Sequence, residues 1–131
     1  GISGAIDTWV YSGFTQERST SSQSTVLSHL HTQIYDNNQP VAILGNTRKS
    51  NGQVKIGAHW FLVYGLKYEG DNPNSGKIEG VYMIDPAHAS PFTPGVLSVS
   101  RYTVIDIATF FDDYMADFYG KYHFITATEE H

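Results

Sequence analysis

The chain has 131 residues, a common size for one domain and long enough to bury a sizeable core. Hydrophobic residues make up 40% and aromatic residues 14%, too many bulky side chains for a disordered segment. The formal net charge of -5, with no basic run, argues against nucleic acid or an anionic membrane as a partner, and zero cysteines exclude disulfides, cysteine-ligated zinc and a cysteine nucleophile within this chain.

The opening GISGAIDTW has neither the basic start nor the apolar run of a secretion signal, and no stretch approaches the roughly 20 apolar residues of a membrane span. Positions 12–25, SGFTQERSTSSQST, are polar and read as a loop that supplies a helix N-cap. Val26, Leu27, Leu30 and Ile34 recur at helical spacing until Pro40, which predicts a helix of about three turns. PVAIL at 40–44 reads as a strand, and GNTRKSNGQ as turn material.

In GAHWFLVYGL, 57–66, His59, Phe61 and Val63 fall on one face of a strand while Trp60, Leu62 and Tyr64 fall on the other. Both faces are apolar, so this strand is expected to be central. KYEGDNPNSGKIEG reads as an exposed connection, and VYMID, 81–85, as a third strand that Pro86 ends. LSVSRYTVI alternates as a fourth strand; Ile107, Phe110, Phe111, Tyr114, Met115 and Phe118 then recur at helical spacing behind an N-cap at Asp106; KYHFITAT closes as a last strand. No repeat or linker divides the chain, so 1–131 is read as a single domain. Strands in close succession with two main helices predict an antiparallel α+β fold.

A histidine that starts a central strand and an aspartate that ends the next can meet at one end of an antiparallel pair, and His59 and Asp85 stand that way. A carboxylate on one imidazole nitrogen fixes the tautomer and frees the other nitrogen for proton transfer, the arrangement of a general base and its orienter. On spacing alone the plainer reading competes: a half-buried histidine bonded to a nearby carbonyl, and an Asp-Pro turn. His59, Asp85 and His88 are of the types that ligate metal, but His88 sits in a Pro-rich loop with no motif behind it, so the sequence calls for no metal and no cofactor. His29 and His31 point to different faces of the first helix and read as solvent-facing; His123 reads as a packing residue in the closing strand, and Trp60, Tyr64 and Tyr82 read as core. Trp9 lines a cleft or staples the amino-terminal segment.

NQPVAIL, GAHWFLVYGL, VYMIDPA and the aromatic helix running into a final strand resemble, in that order, the later half of the papain-like domains of the C39-like peptidase group. The resemblance extends from Leu27 to Thr126. It implies a papain-like fold and cleavage of peptide bonds, with His59 as the base and Asp85 as the acid that orients it. It also implies secretion or a cell-surface setting.

In that family a helix before the PV strand carries the nucleophilic cysteine, preceded by a glutamine that helps to bind the oxyanion. Neither Gln16 nor Gln23 is followed by such a helix, so the oxyanion role is left empty. The hydroxyls of STSSQST lack the fixed position that a serine nucleophile requires.

The chain therefore reads as the carboxy-terminal portion of a larger or processed peptidase, one chain of a two-chain enzyme, or a relative that has kept binding and lost catalysis. Expected partners are a peptide or protein substrate and, across an apolar groove that the absent cysteine helix would leave open, a Cys-bearing companion segment or a second copy of the chain. The alternatives are a non-catalytic peptide-binding or interaction module, and more distantly a structural surface domain.

Overall fold

The computed structural model describes residues 15–46, 59–84, 104–115, 117 and 120–127. A six-stranded antiparallel sheet has the strands β1 (Thr15–Thr20), β2 (Val41–Gly45), β3 (His59–Tyr68), β4 (Ile78–Ile84), β5 (Ile105–Asp106) and β6 (Tyr122–Ala127), in the order β1-β6-β2-β3-β4-β5. The architecture is α+β, as the sequence pattern predicts, and β3 lies in the interior of the sheet between β2 and β4.

The first helix, α1 (Gln23–Leu30), starts at Ser22, whose hydroxyl accepts from the Thr25 N–H at 3.2 Å. It then widens into a π-helical turn over His31–Asp36, closed by the Asn37 N–H on the Thr32 carbonyl at 3.0 Å. The second helix, α2 (Ile107–Thr109), is capped by Asp106, which accepts from the Thr109 N–H at 2.9 Å. It too widens, over Phe110–Tyr114, and ends where the Met115 N–H meets the Phe110 carbonyl at 2.8 Å. Met115, expected on the same helical period, is instead extended and bridges to Gly45, and Phe118 lies outside the described residues.

Both helices cover one face of the sheet. Val26 and Leu30 from α1 and Phe110, Phe111 and Tyr114 from α2 pack on Val41, Ile43, Phe61, Val63, Val81, Met83 and Phe124. Each fully buried Val or Leu here is worth about 1.5–3 kcal/mol of transfer free energy, which stabilises the helices well beyond their intrinsic propensity. On the other face Ala42 and Ile125 are buried, with Trp60 and Leu62 partly so. Tyr64, expected in the core, is 38% exposed: it stands on the face away from the helices beside a register shift at Gly65, its ring packed on Tyr82 with centroids 6.1 Å apart.

Two further expectations change. Part of the segment read as a loop is strand β1, paired along its length with β6 and tied by the Arg18 guanidinium, whose Nε donates to Thr126 Oγ1 at 2.9 Å. Of the predicted fourth strand, 97–105, only its last residue, Ile105, lies in β5 among the described residues, and positions 97–103 lie outside them.

Candidate functional site

The two ends of β3 carry the residues with chemistry. At its start, His59 is in register with Gly45 on β2. Across the other neighbour Leu62 pairs with Ile84, the last residue of β4. Asp85 follows Ile84 in the chain and lies outside the described residues, as do His88 and Trp9.

The frame around this end of the sheet is stiff. A Cβ on Gly45 would lie 2.4 Å from Phe61 Cδ2 and 3.0 Å from the Tyr114 carbonyl oxygen, so glycine lets the aromatic ring and the helix end close on the strand. Gly45 also bridges to Met115. Next to it Asn46, only 2% exposed, donates its backbone N–H to the Tyr114 carbonyl at 2.8 Å and its Nδ2 to the Asp113 carbonyl at 3.2 Å. Two carbonyls at the end of α2 that have no partner within the helix are thereby satisfied. Burial of the Tyr114 phenol, reinforced by the Asp113 carboxylate, pushes it above the ordinary tyrosine value.

At the far end Tyr68, 5% exposed, brings its hydroxyl to 2.6 Å from His31 Nδ1. The other imidazole nitrogen, Nε2, lies 3.9 Å from Asp36 Oδ1, within electrostatic range though beyond a direct hydrogen bond. His31 and Asp36 begin and end the π-helical turn, a geometry frequent at functional sites. Tyr35 packs on both rings, with centroids 5.2 Å from His31 and 5.9 Å from Tyr68. Desolvation first, then the charge of Asp36 and the neighbouring Tyr35, raises the Tyr68 phenol above its usual value, so it remains protonated at neutral pH. A cleft of about 380 Å³ opens beside this pair, between α1 and the start of β4.

The remaining candidates are placed as follows. His29 and His31 do point to different neighbours, but neither is simply solvent-facing. His29 is half-buried with its ring on Phe124, centroids 5.2 Å apart, and burial, then the Arg18 charge, lowers its pKa. His123 is half-buried in β6, in register with Ser19. Gln16 accepts from Arg18 at 3.1 Å and Gln23 donates to the Tyr122 hydroxyl at 3.0 Å. Among the described residues no group of three His, Cys, Asp or Glu could hold a metal, and no helix is long and apolar enough to cross a membrane.

Asn46 and the His31–Tyr68 pair escape a reading of the sequence. His31 had a signal, since it lies one helical turn after Leu27 and so borders the apolar stripe. Asn46 had none, because a polar residue after VAILG looks like the start of a turn. Comparison with protein-family models, curated proteins and solved structures finds no match for the chain.

Proposed function

We propose that this chain is the His/Asp-bearing portion of a papain-like cysteine peptidase domain, in which His59 is the general base, Asp85 orients it, and the nucleophilic cysteine comes from a segment outside this chain. The observation that supports it most is the ladder between β3 and β4. Leu62 pairs with Ile84, and the reading requires that ladder to run one residue further, so that position 85 stands opposite Phe61 and diagonal to position 59 on the same face. Diagonal pairs on one face of a sheet have Cα atoms about 7–8 Å apart, within reach of an imidazole and a carboxylate. Stiff backbone beside His59, from Gly45, Asn46 and the end of α2, is what a general base needs to hold its position.

Two experiments test it. Asp85→Asn should change the tautomer balance of the His59 ring, read from its ¹⁵N shifts, while an unaltered ring would remove the dyad. The chain alone, lacking a thiol, should cleave no casein; turnover by the purified chain would mean a different nucleophile. A second reading, a peptide-binding module on the same fold, is favoured by the absence of cysteine from all 131 residues. It predicts saturable binding of peptides to the chain with no gain of cleavage when a Cys-bearing segment is supplied.

A further inference from the structure

Strands β1 and β6 hold an arginine in a fixed orientation on the helix-covered face of the sheet. Arg18 stands opposite Phe124, and Gln16 opposite Thr126; residues directly opposite in an antiparallel pair share a face, and Phe124 belongs to the core under α1. Arg18 Nε donates to Thr126 Oγ1 at 2.9 Å and Nη2 donates to Gln16 Oε1 at 3.1 Å. Thr126 is fully buried, so its hydroxyl is a rigid anchor. Nε and Nη2 lie along one edge of the guanidinium plane, and that edge is occupied. The end of the plane, with an N–H on each terminal nitrogen, donates to no group among the described residues. It is a fork that matches the two oxygens of one carboxylate.

The local charge selects an anion. On a chain of net charge -5, Arg18 has no carboxylate partner among the described residues, where the ion pairs are His31–Asp36 and Lys67–Asp71. Its charge reaches His29, whose ring lies on the same Phe124. Of the other titratable groups nearby, Glu17 and His123 fall on the opposite face, Tyr122 takes the Gln23 amide, and His31 turns to Tyr68. One permanent positive charge beside a neutral imidazole offsets one negative charge, which favours a carboxylate over a phosphate dianion. We infer that the guanidinium of Arg18, held by Thr126 and Gln16, is a binding site for a carboxylate, with His29 at its margin. The site is on β1 and β6 and does not rest on the peptidase reading.

The test is an NMR titration of the full chain at constant ionic strength with propionate, using propionamide and inorganic phosphate as matched probes, read at the Arg18 Nε–H and the His29 ring. Saturable shifts with propionate are expected, about tenfold tighter or more than with either probe. A bound carboxylate offsets the Arg18 charge, so saturating propionate should also move the His29 titration upward. Arg18→Lys keeps the charge and removes the fork, and should weaken propionate about tenfold. Gln16→Ala, at an exposed position, keeps the charge, loosens the guanidinium and should weaken propionate too, which decides the matter if Arg18→Lys does not fold. A blocked glutamyl peptide that binds tighter than propionate would assign the carboxylate to a peptide side chain, and equal affinity to a small acid. Equal binding of propionamide, tighter binding of phosphate, or full propionate affinity in both variants overturns the proposal.

Discussion

The backbone N–H of Asn46 donates to the carbonyl of Tyr114 at 2.8 Å, and the Asn46 side chain reaches the preceding carbonyl, that of Asp113, at 3.2 Å. One buried residue thus joins the end of β2 to the end of α2. Asn46→Ala would leave the backbone bond in place, strip the Asp113 carbonyl of its donor and open a small void, at a cost of about 1–3 kcal/mol. Urea unfolding should show a lower midpoint at an unchanged slope. A midpoint equal to that of the parent chain would mean that water replaces the amide without loss.

Gly45→Ala should destabilise by a similar amount, roughly 1–3 kcal/mol, because the new methyl would lie 2.4 Å from Phe61 Cδ2. Shortening the ring relieves part of the clash. In the double variant Gly45→Ala with Phe61→Leu the two costs should be less than additive, while the 3.0 Å approach to the Tyr114 carbonyl keeps the rescue incomplete. Full additivity in a thermal-unfolding cycle would place the strain elsewhere.

His29 contributes a pH dependence whose sign follows from its lowered pKa. Burial against Phe124, and then the Arg18 charge, disfavour the imidazolium in the folded chain relative to the unfolded one. The unfolded state binds the proton more readily, so the contribution is fully present above the ordinary histidine value of about 6.5 and is lost as pH falls through the lower folded value. His29→Gln should flatten the fall in melting temperature between neutral and mildly acidic solution. Arg18→Gln should move the His29 titration upward, toward the ordinary value. An unchanged acid-side slope in His29→Gln would assign that slope to other groups.

Asp106 caps α2 twice over, with Oδ1 on the Thr109 N–H and Oδ2 on the Thr109 hydroxyl, both at 2.9 Å. The backbone N–H bond, then the hydroxyl bond, hold its carboxyl below the usual aspartate value, so this contribution is present above that value and disappears as pH falls through the lower one. Asp106→Ala should lower the melting temperature at neutral pH, and Asp106→Asn, which caps nearly as well, should restore most of it. Equal losses in the two variants would show that charge, and not the cap bond, carries the effect.

The strands built on apolar runs were legible in their centres, since β2, β3, β4 and β6 all overlap the runs that predict them, but Lys67–Tyr68 and Ile78–Gly80, read as an exposed connection, extend β3 and β4, and Tyr68 there is buried. The helix starts were legible as well, because Ser22 and Asp106 are N-caps whose chemistry is local. Strand β1 was not. TQERST contains no apolar residue, and it is a strand because Arg18 and its neighbours pair with β6 from the far end of the chain. The π-helical turns were hidden for a related reason, since Leu27, Leu30 and Ile34 fit an ordinary helical period, while the widened hydrogen bonding follows from tertiary packing. At the candidate site the histidine of a central strand could be read from its neighbours. The partner of His31 could not, because Tyr68 lies 37 positions away.

The pairing of Thr15 with Ala127 closes a loop nearly as long as the described chain, whereas β3 and β4 are neighbours in sequence joined by two short 3₁₀ turns. The entropy of closing so long a loop is recovered only once the rest of the sheet exists, which makes β1 the last strand to dock and the first to leave. Amide exchange should report this as two populations: protons in the β2–β3–β4 centre exchanging only through global unfolding, and those of β1 through a cheaper opening that leaves the core intact. Chains in that partly open state would expose the unpaired edge of β6, with Phe124 and Ile125 beside it. Aggregation on mild destabilisation should therefore begin at β6, and a disulfide engineered between β1 and β6 should suppress it without altering the cleft beside Tyr68.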